Sequence, residues 1–448
     1  MSANRIDIQA VIDRQPNIRR QLPLLVMMTL VMFIDGYDVF MLGRIAPAIA
    51  DEYGEPATRL TLVFVLQQVG LAVGSFVIGP LADRFGRKSM LLISSGVFGL
   101  LTLGVLWCHT LTQVAILRGA AGFFLAGVIP NATALLTEFT PPGRRASFVS
   151  IAFTGYTVGG AAASFAALSL LSHFGWRSTF WIGGLVPLLL VPLLALVVRE
   201  SLQFRLRRDP RDRRIARDLS AIEPGLLITD TTDFTIGRPD GSDRPEAKGL
   251  KAVFGEGRGS VTLLLWSAYF IALGMISLLG SWMATFFLKL DGVPLDVSAA
   301  YSLLSFVAGV GGTTTVGAVM DRFGRARVLT ILFVIDAISI GLMGMVPYGS
   351  WAFIVLTLTW GYAQAGGQGG LNALCAQAYP SVVRSTGVGW AFGLGRLGGV
   401  VLPALGGLAL AHKVPIGESF LLAGALPLLV ALTLVGLGRL DARGRFAQ

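Results

Sequence analysis

Gly79-Pro80-Leu81-Ala82-Asp83-Arg84-Phe85-Gly86-Arg87-Lys88 recurs 238 residues further on as Gly317-Ala318-Val319-Met320-Asp321-Arg322-Phe323-Gly324-Arg325. Each copy is a short basic turn between two long apolar segments. Other pieces keep nearly the same displacement. Pro130-Asn131-Ala132 answers to Leu371-Asn372-Ala373, Arg145 to Arg384, and Gly159-Gly160 to Gly398-Gly399. The chain therefore reads as one unit used twice in the same orientation. Membrane carriers built from parallel repeats place their substrate between the halves, near the bilayer midplane.

Composition agrees with a membrane setting. Hydrophobic residues make up 54% of the 448 and charged residues 14%, too apolar a balance for a soluble domain to bury. The net charge of +10 would suit nucleic acid, but its distribution does not. Of 36 Lys and Arg, 29 fall in the N-terminal tail, alternate loops, the central loop and the C-terminal tail. This is the positive-inside bias, and it predicts that both termini are cytoplasmic. Arg5 to Arg20 mix charges ahead of an apolar segment too long for a signal core, so no cleaved signal is expected. Cys108 and Cys375 lie near the ends of different apolar segments and predict unpaired thiols, with no metal site.

Twelve apolar segments predict an all-α integral membrane protein of two six-helix halves, each segment near the 20 residues needed to cross about 30 Å of hydrocarbon. The first six lie at roughly 22–43, 59–81, 89–108, 113–137, 146–170 and 178–198. The last six lie at roughly 261–288, 297–319, 328–347, 351–378, 385–410 and 418–438. The expected organisation is a tail at 1–21, a bundle at 22–198, a central cytoplasmic loop at 199–258, a second bundle at 259–438 and a tail at 439–448. The loop holds 13 Lys and Arg with many Asp, Pro and Gly. It reads first as a solvated connector. Arg199–Arg217 as a basic amphipathic helix on the inner leaflet is the alternative.

In the repeated turns, Gly79 and Gly317 permit close helix approach, the aspartates can cap or pair, and the arginines can reach carboxylates or lipid phosphates. Two copies at matching places in a twelve-segment repeat resemble the major facilitator superfamily across the whole chain except the central loop. That resemblance implies that Asp83, Arg84, Arg87, Asp321, Arg322 and Arg325 belong to a cytoplasmic gate used in alternating access. Glu138 and Arg144 to Arg145 close segment 4 at the same end, as a capping or gate pair.

Phe33-Ile34-Asp35-Gly36-Tyr37-Asp38-Val39-Phe40 puts two carboxylates on one face of the first helix. One ionised side chain at the centre of a membrane helix costs about 2.5–3.5 kcal/mol, so such groups face a protein interior or a wet cavity. Arg118, in segment 4, sits about 7–8 Å in from the outer end at 1.5 Å rise per residue. It can snorkel to the interface or pair with Asp38, which reaches a similar depth. The pair is the expected outcome. Arg396 lies near the midplane, with glycines beside it, where snorkelling is hard. An ion pair inside the bundle and an anchor for an anionic substrate are both open, and a guanidinium can hold a carboxylate bidentately. Asp336, alone in segment 9, receives no role. Gln364, Gln368 and Asn372 share one stripe of segment 10 and either bridge helices or line a cavity. Tyr37, Phe40, Trp266, Tyr269, Trp282, Trp360, Tyr362 and Trp390 lie in or near segments 1, 7, 10 and 11, and some should face the cavity. His109, His173 and His412 have no ligand spacing.

Within the superfamily, Asp35-Gly36-Tyr37-Asp38 resembles the helix-1 motif of the aromatic acid:proton symporters. Ile45-Ala-Pro47, Pro130-Asn131, Ser281-Trp282 and Thr386-Gly-Val-Gly-Trp390-Ala with Gly395-Arg396 agree with that branch. The resemblance implies uptake of a benzoate-like carboxylate with a proton in a bacterial inner membrane, with the helix-1 acids and the membrane arginines required. Asp35, Asp38 and Arg118 are the expected proton-coupling group. Arg396, Asp35, Tyr37, Gln368, Asn372 and Trp390 are the expected substrate contacts. Partners are the small organic carboxylate, the proton and the lipid bilayer, with no nucleic acid, no cofactor beyond the proton gradient, and a monomer as the working unit. Thr229-Asp-Thr-Thr-Asp-Phe234 is not typical of the family and leaves a regulatory role open. Two rivals stand beside this reading. One keeps the fold and carries another organic acid, or exchanges a drug for protons. The other is a membrane sensor signalling through 199–258. No nucleophile–base pair, metal cluster or phosphate loop points to an enzyme.

Overall fold

The computed structural model describes residues 5–14, 21–209, 212–222, 232–235, 253–255, 257–379 and 384–441. Among the described residues there are twelve long helical spans: Leu22–Glu52, Leu60–Phe85, Arg87–Gly104, Leu111–Glu138 in two pieces, Pro142–Phe174 and Arg177–Val197, then Gly259–Asp291, Leu295–Phe323, Arg325–Met343, Trp351–Ala378, Arg384–Ala411 and Ile416–Asp441. They are numbered spans 1 to 12 here. Eleven are apolar enough to cross a bilayer by composition. Span 10 is long enough, but Gln364, Gln368, Asn372 and five glycines lower its hydropathy.

The repeat is visible in the packing. Span 1 lies against span 5, and span 7 against span 11. A methyl group on Gly159 would sit 2.0 Å from the Phe33 carbonyl oxygen, and one on its repeat partner Gly398 would sit 1.9 Å from that of Phe270. Small residues let helix backbones touch in a medium where no hydrophobic effect drives helices together. The repeated basic turns also match, although the glycines that shape them are not the expected ones. Gly79 and Gly317 face open space. Gly86 and Gly324 end spans 2 and 8 at φ +99° and +90°, where a side chain is strained.

Span 1 runs past the predicted limit at Gly43, through Pro47, to Glu52. Proline is tolerated in packed membrane helices, where neighbouring groups re-satisfy the backbone. Its outer part is buried, including Arg44, Ile45 and Ile49.

The two halves meet at the end opposite the basic turns, here called the outer end on the positive-inside bias. There one apolar cluster draws Met41, Ile45 and Phe64 from the first half and Met275, Trp282 and Phe286 from the second. Phe64 packs edge-on to Trp282 at 5.1 Å, and Lys289 donates to Asp51 at 2.7 Å. At the inner end the halves have separate cores. The conformation is thus closed to the outside. Gly43 is central to that closure, because a methyl group there would lie 1.8 Å from the Gly280 carbonyl oxygen across the interface. Gly43→Val is expected to force the outer ends apart. A cysteine placed at Phe64, which is enclosed against Trp282 in the closed form, should then label from outside about tenfold faster, since about 1.4 kcal/mol shifts a two-state equilibrium by that factor.

The tail and central loop depart from the expected solvated connector where they are described. Arg5–Asp7 pairs in parallel with Asp233–Thr235. Ile6, Ile8, Val11 and Ile12 bury with Ile215, Leu219 and Phe234 against the inner end of span 1. Arg199–Arg217 is not one helix: it divides between Leu202–Arg208 and Arg213–Ile222, and Arg205 and Arg199 both turn to the buried Asp218 at 2.5 and 3.5 Å. Apolar residues spaced along a charged segment supplied enough buried surface to fold it. Thr229 to Thr231 of the atypical stretch lie outside the described residues, as does most of 223–252.

Candidate functional site

The site forms where span 1 faces span 7 across the interface between the halves. A cavity of about 60 Å³ is lined by Phe40, Phe64, Gln67, Gln68 and Tyr156 of the first half. Leu273, Ile276, Ser277, Ser281 and Arg396 line it from the second. Glycines 43, 280, 395 and 399 complete the wall and let the backbones close around it. The lining is aromatic and aliphatic with a few fixed polar groups, the usual make-up of a small-molecule site. Gln68 donates to the Ser277 hydroxyl and so ties the two halves across the cavity.

Arg396 reaches this cavity half-buried, and among the described residues it has neither a hydrogen bond nor an acid within 4.0 Å. Of the two readings open for it, an ion pair inside the bundle is not what the structure has. Asp35 is nearly fully buried and lies in the electrostatic field of both Arg396 and Asp38. It too makes no hydrogen bond among the described residues. Tyr156 lines the same cavity as Arg396, and its backbone meets span 1 at the residue after Asp35. Gly36 explains how: a methyl group there would sit 2.0 Å from the Tyr156 carbonyl oxygen. Glycine between the two acids brings span 5 close enough to present that tyrosine.

Asp38 and Arg118 are paired, as their matching depth predicted. Arg118 donates to both carboxylate oxygens, one at 2.8 Å, and both side chains are buried, at 1% and 0% exposure. The Phe180 ring lies 5.9 Å from the guanidinium carbon. The two acids of one helix face therefore stand in different settings. Asp38 is locked by a bidentate cation, and Asp35 faces a cation it does not touch.

Four expected substrate contacts lie elsewhere. Tyr37 points to span 6, where its hydroxyl donates to the Thr179 carbonyl at 3.1 Å. The Asn372 side-chain oxygen accepts from Tyr269 at 2.8 Å and from Gln368 at 3.1 Å, so both amides serve the contact of span 10 with span 7. Trp390 stacks on Trp266 at 5.9 Å and is 39% exposed. Trp282 is enclosed and donates to the Pro403 carbonyl at 2.7 Å. Helical stripes show which residues share a face, but neighbours decide what that face meets.

At the inner end, Arg87 pairs with Glu138 within the first half. Asp83, Arg84, Asp321, Arg322 and Arg325 are exposed, and Arg144 is half-buried. Among the described residues none of these six has an ion pair. Arg84 and Arg322, repeat partners, each lie over the phenylalanine that follows them, at 5.5 and 5.3 Å. Glu200, after span 6, accepts from the backbone N–H groups of Lys88 and Ser89 and occupies the space beside Gly86.

Sequence reading passed over Arg44, Gln67 and Gln68. The glutamines stand in an apolar run and could have been noticed for their cost there. Arg44 was hidden by a helix end placed at Gly43, nine residues short of Glu52. Asp336 is fully enclosed, and neither carboxylate oxygen has a hydrogen-bond partner among the described residues.

The family model described as Major Facilitator Superfamily matches residues 28–315 and 265–445. The chain belongs to the Major Facilitator Superfamily. It is a multi-pass inner-membrane transporter and not an enzyme. It is 33% identical to the gallate transporter of Pseudomonas putida over 98% of this chain and 96% of that one. It is also 33% identical to the 4-hydroxybenzoate transporter PcaK of Acinetobacter baylyi, over 91% and 89% of the two chains. Among solved structures, a D-xylose-proton symporter superposes with a TM-score of 0.70 at 19% identity, covering 92% of this chain and 97% of that one. The last likeness concerns the fold. The first two place the chain beside the aromatic-acid branch of the superfamily.

Proposed function

We propose that this protein imports a small aromatic carboxylate together with a proton. The observation that carries the reading is Arg396, a cation without a protein partner in an aromatic-lined cavity between the halves. A carboxylate bound there gains paired, charge-assisted hydrogen bonds. Phe40, Phe64 and Tyr156 supply ring surface, while Gln67, Gln68 and Ser277 supply partners for ring hydroxyls. The named relatives, for gallate and 4-hydroxybenzoate, support that substrate class.

In this reading Asp35 takes the proton, because it is the acid not already held by a bidentate cation. Asp38 and Arg118 form the rigid element behind it. Substrate on Arg396 and proton on Asp35 neutralise the cavity together. The halves then rock, and both leave through the inner end. Asp83, Arg84, Asp321, Arg322, Arg325 and Arg144, with Arg87 and Glu138, re-form the inner gate on return.

The test is uptake of labelled 4-hydroxybenzoate and gallate into cells or proteoliposomes, with and without an uncoupler. Saturable uptake that collapses with the proton gradient is expected. Uptake indifferent to the uncoupler would remove the symport claim. Asp35→Asn should lose accumulation against a gradient but keep exchange of internal for external substrate. Accumulation at the wild-type level in that variant would take Asp35 out of the coupling.

A further inference from the structure

Arg44 has no part in the mechanism above. It is 7% exposed, at membrane depth, and among the described residues no carboxylate lies within 4.0 Å of it. Arg118, which is fully enclosed, has Asp38 as a counter-ion. Arg44 instead donates from Nε to the Ser164 hydroxyl at 2.6 Å and from one terminal nitrogen to the Phe40 carbonyl. Its second terminal nitrogen makes no hydrogen bond among the described residues. Two rings flank the guanidinium carbon, Phe40 at 5.6 Å and Phe306 at 5.3 Å. The first belongs to the same half as Arg44. The second comes from span 8 of the other half and fits against Gly160, where a methyl group would lie 2.5 Å from its edge.

Span 7 gives the depth. Gly395 and Gly399, which bracket Arg396, touch span 7 at Leu273 and Ser277, whereas Gly43 abuts it at Gly280. Arg44 therefore lies about one to two turns, or roughly 5–10 Å, further out than Arg396. Phe40 stands between them: it lines the cavity that holds Arg396 and packs against Arg44.

We propose that Arg44 is a second, outer carboxylate site, filled by the aromatic acid when the outer ends part and emptied inward to Arg396 as they close. This rests on the reading of the protein as an aromatic-acid importer. Parting the halves withdraws Phe306 with span 8 and uncovers one face of the guanidinium. The slot left behind has the dimensions of a phenyl ring next to a cation with free donors. An aromatic monocarboxylate fills both parts, with its ring in the place of Phe306 and its carboxylate on Arg44. An aliphatic acid satisfies only the charge. On closure Phe306 returns to its place beside Arg44 and displaces the acid toward the next unpartnered cation. Arg44 is a substrate-binding residue of the outward-open state alone.

The experiment uses full-length protein in proteoliposomes and labelled 4-hydroxybenzoate offered from the outer or the inner face. Arg44→Gln is expected to raise KM for substrate offered outside at least about tenfold, the effect of losing one charge-assisted contact. KM for substrate offered inside should stay within about twofold. Arg44→Lys, which keeps the charge, should lie between wild type and Arg44→Gln and serves where the glutamine variant does not insert. Phe306→Leu removes the ring that competes with the substrate and keeps the cation, so outside KM should not rise above the wild-type value. An unchanged outside KM in Arg44→Gln would overturn the site. So would equal weakening from both faces, or a Phe306→Leu variant that reproduces Arg44→Gln, since either points to a pin for the closed outer end. Arg396→Gln should weaken binding from both faces. Wild-type protein without saturable 4-hydroxybenzoate uptake would overturn the import reading and this site together.

Discussion

Replacing Arg396 by Gln is expected to abolish saturable uptake while leaving the protein folded. Truncating one partner of a buried, hydrogen-bonded charge pair costs about 2–5 kcal/mol of binding, or roughly 30-fold to several-thousand-fold in affinity. The fold should tolerate the change because Arg396 has no hydrogen bond or ion pair to lose among the described residues. Arg396→Lys should restore only part of the function, since an ammonium offers no planar fork to a carboxylate. Uptake kinetics and a thermal melt of the purified variants check both halves of this expectation. Wild-type KM in Arg396→Gln would move substrate binding to other residues.

The second large effect concerns the Asp38–Arg118 pair, and its sign is reversed. Here single substitutions should damage the fold. Arg118→Leu strands a buried carboxylate and Asp38→Leu strands a buried guanidinium, each at a cost of about 3–5 kcal/mol. Both side chains are enclosed, so solvent screening does not soften the loss. The double variant Asp38→Leu with Arg118→Met removes both charges at similar volume and should regain most of the thermal stability. Proton-driven accumulation should not return with it. Melting temperature and uncoupler-sensitive uptake, measured on the three variants, separate the two roles. Full accumulation by the double variant would make the pair a structural brace only.

The repeated turn and the run of apolar segments sufficed for the twelve-span architecture, because crossing a bilayer imposes length and composition that sequence carries openly. Asp38 with Arg118 was also legible. Two opposite charges at one depth in a low-dielectric medium have few other ways to be satisfied. The amides of span 10 were not. Gln368 and Asn372 share a stripe, yet that stripe meets Tyr269 instead of the cavity. Tyr37 lies between the two acids in sequence, but a helix turns about 100° per residue and sends its ring to span 6. The tail and central loop misled in the other direction. Their charge suggested solvation, whereas a few isoleucines, a leucine and Phe234, far apart in the chain, pool into one small core.

Periodicity, charge bias and the internal repeat are properties of single segments and of their order, so the chain alone settled the span count, the pairing of halves and the expense of its buried charges. Which face of each helix meets which neighbour depends on contacts between residues far apart in sequence. Only the packed structure shows that Arg396 stands free beside Asp35, that Phe40 separates it from Arg44, and that the halves close at the outer end. The physical reason is that an unpaired charge is visible in any membrane helix, but whether it has a partner is a fact about another helix.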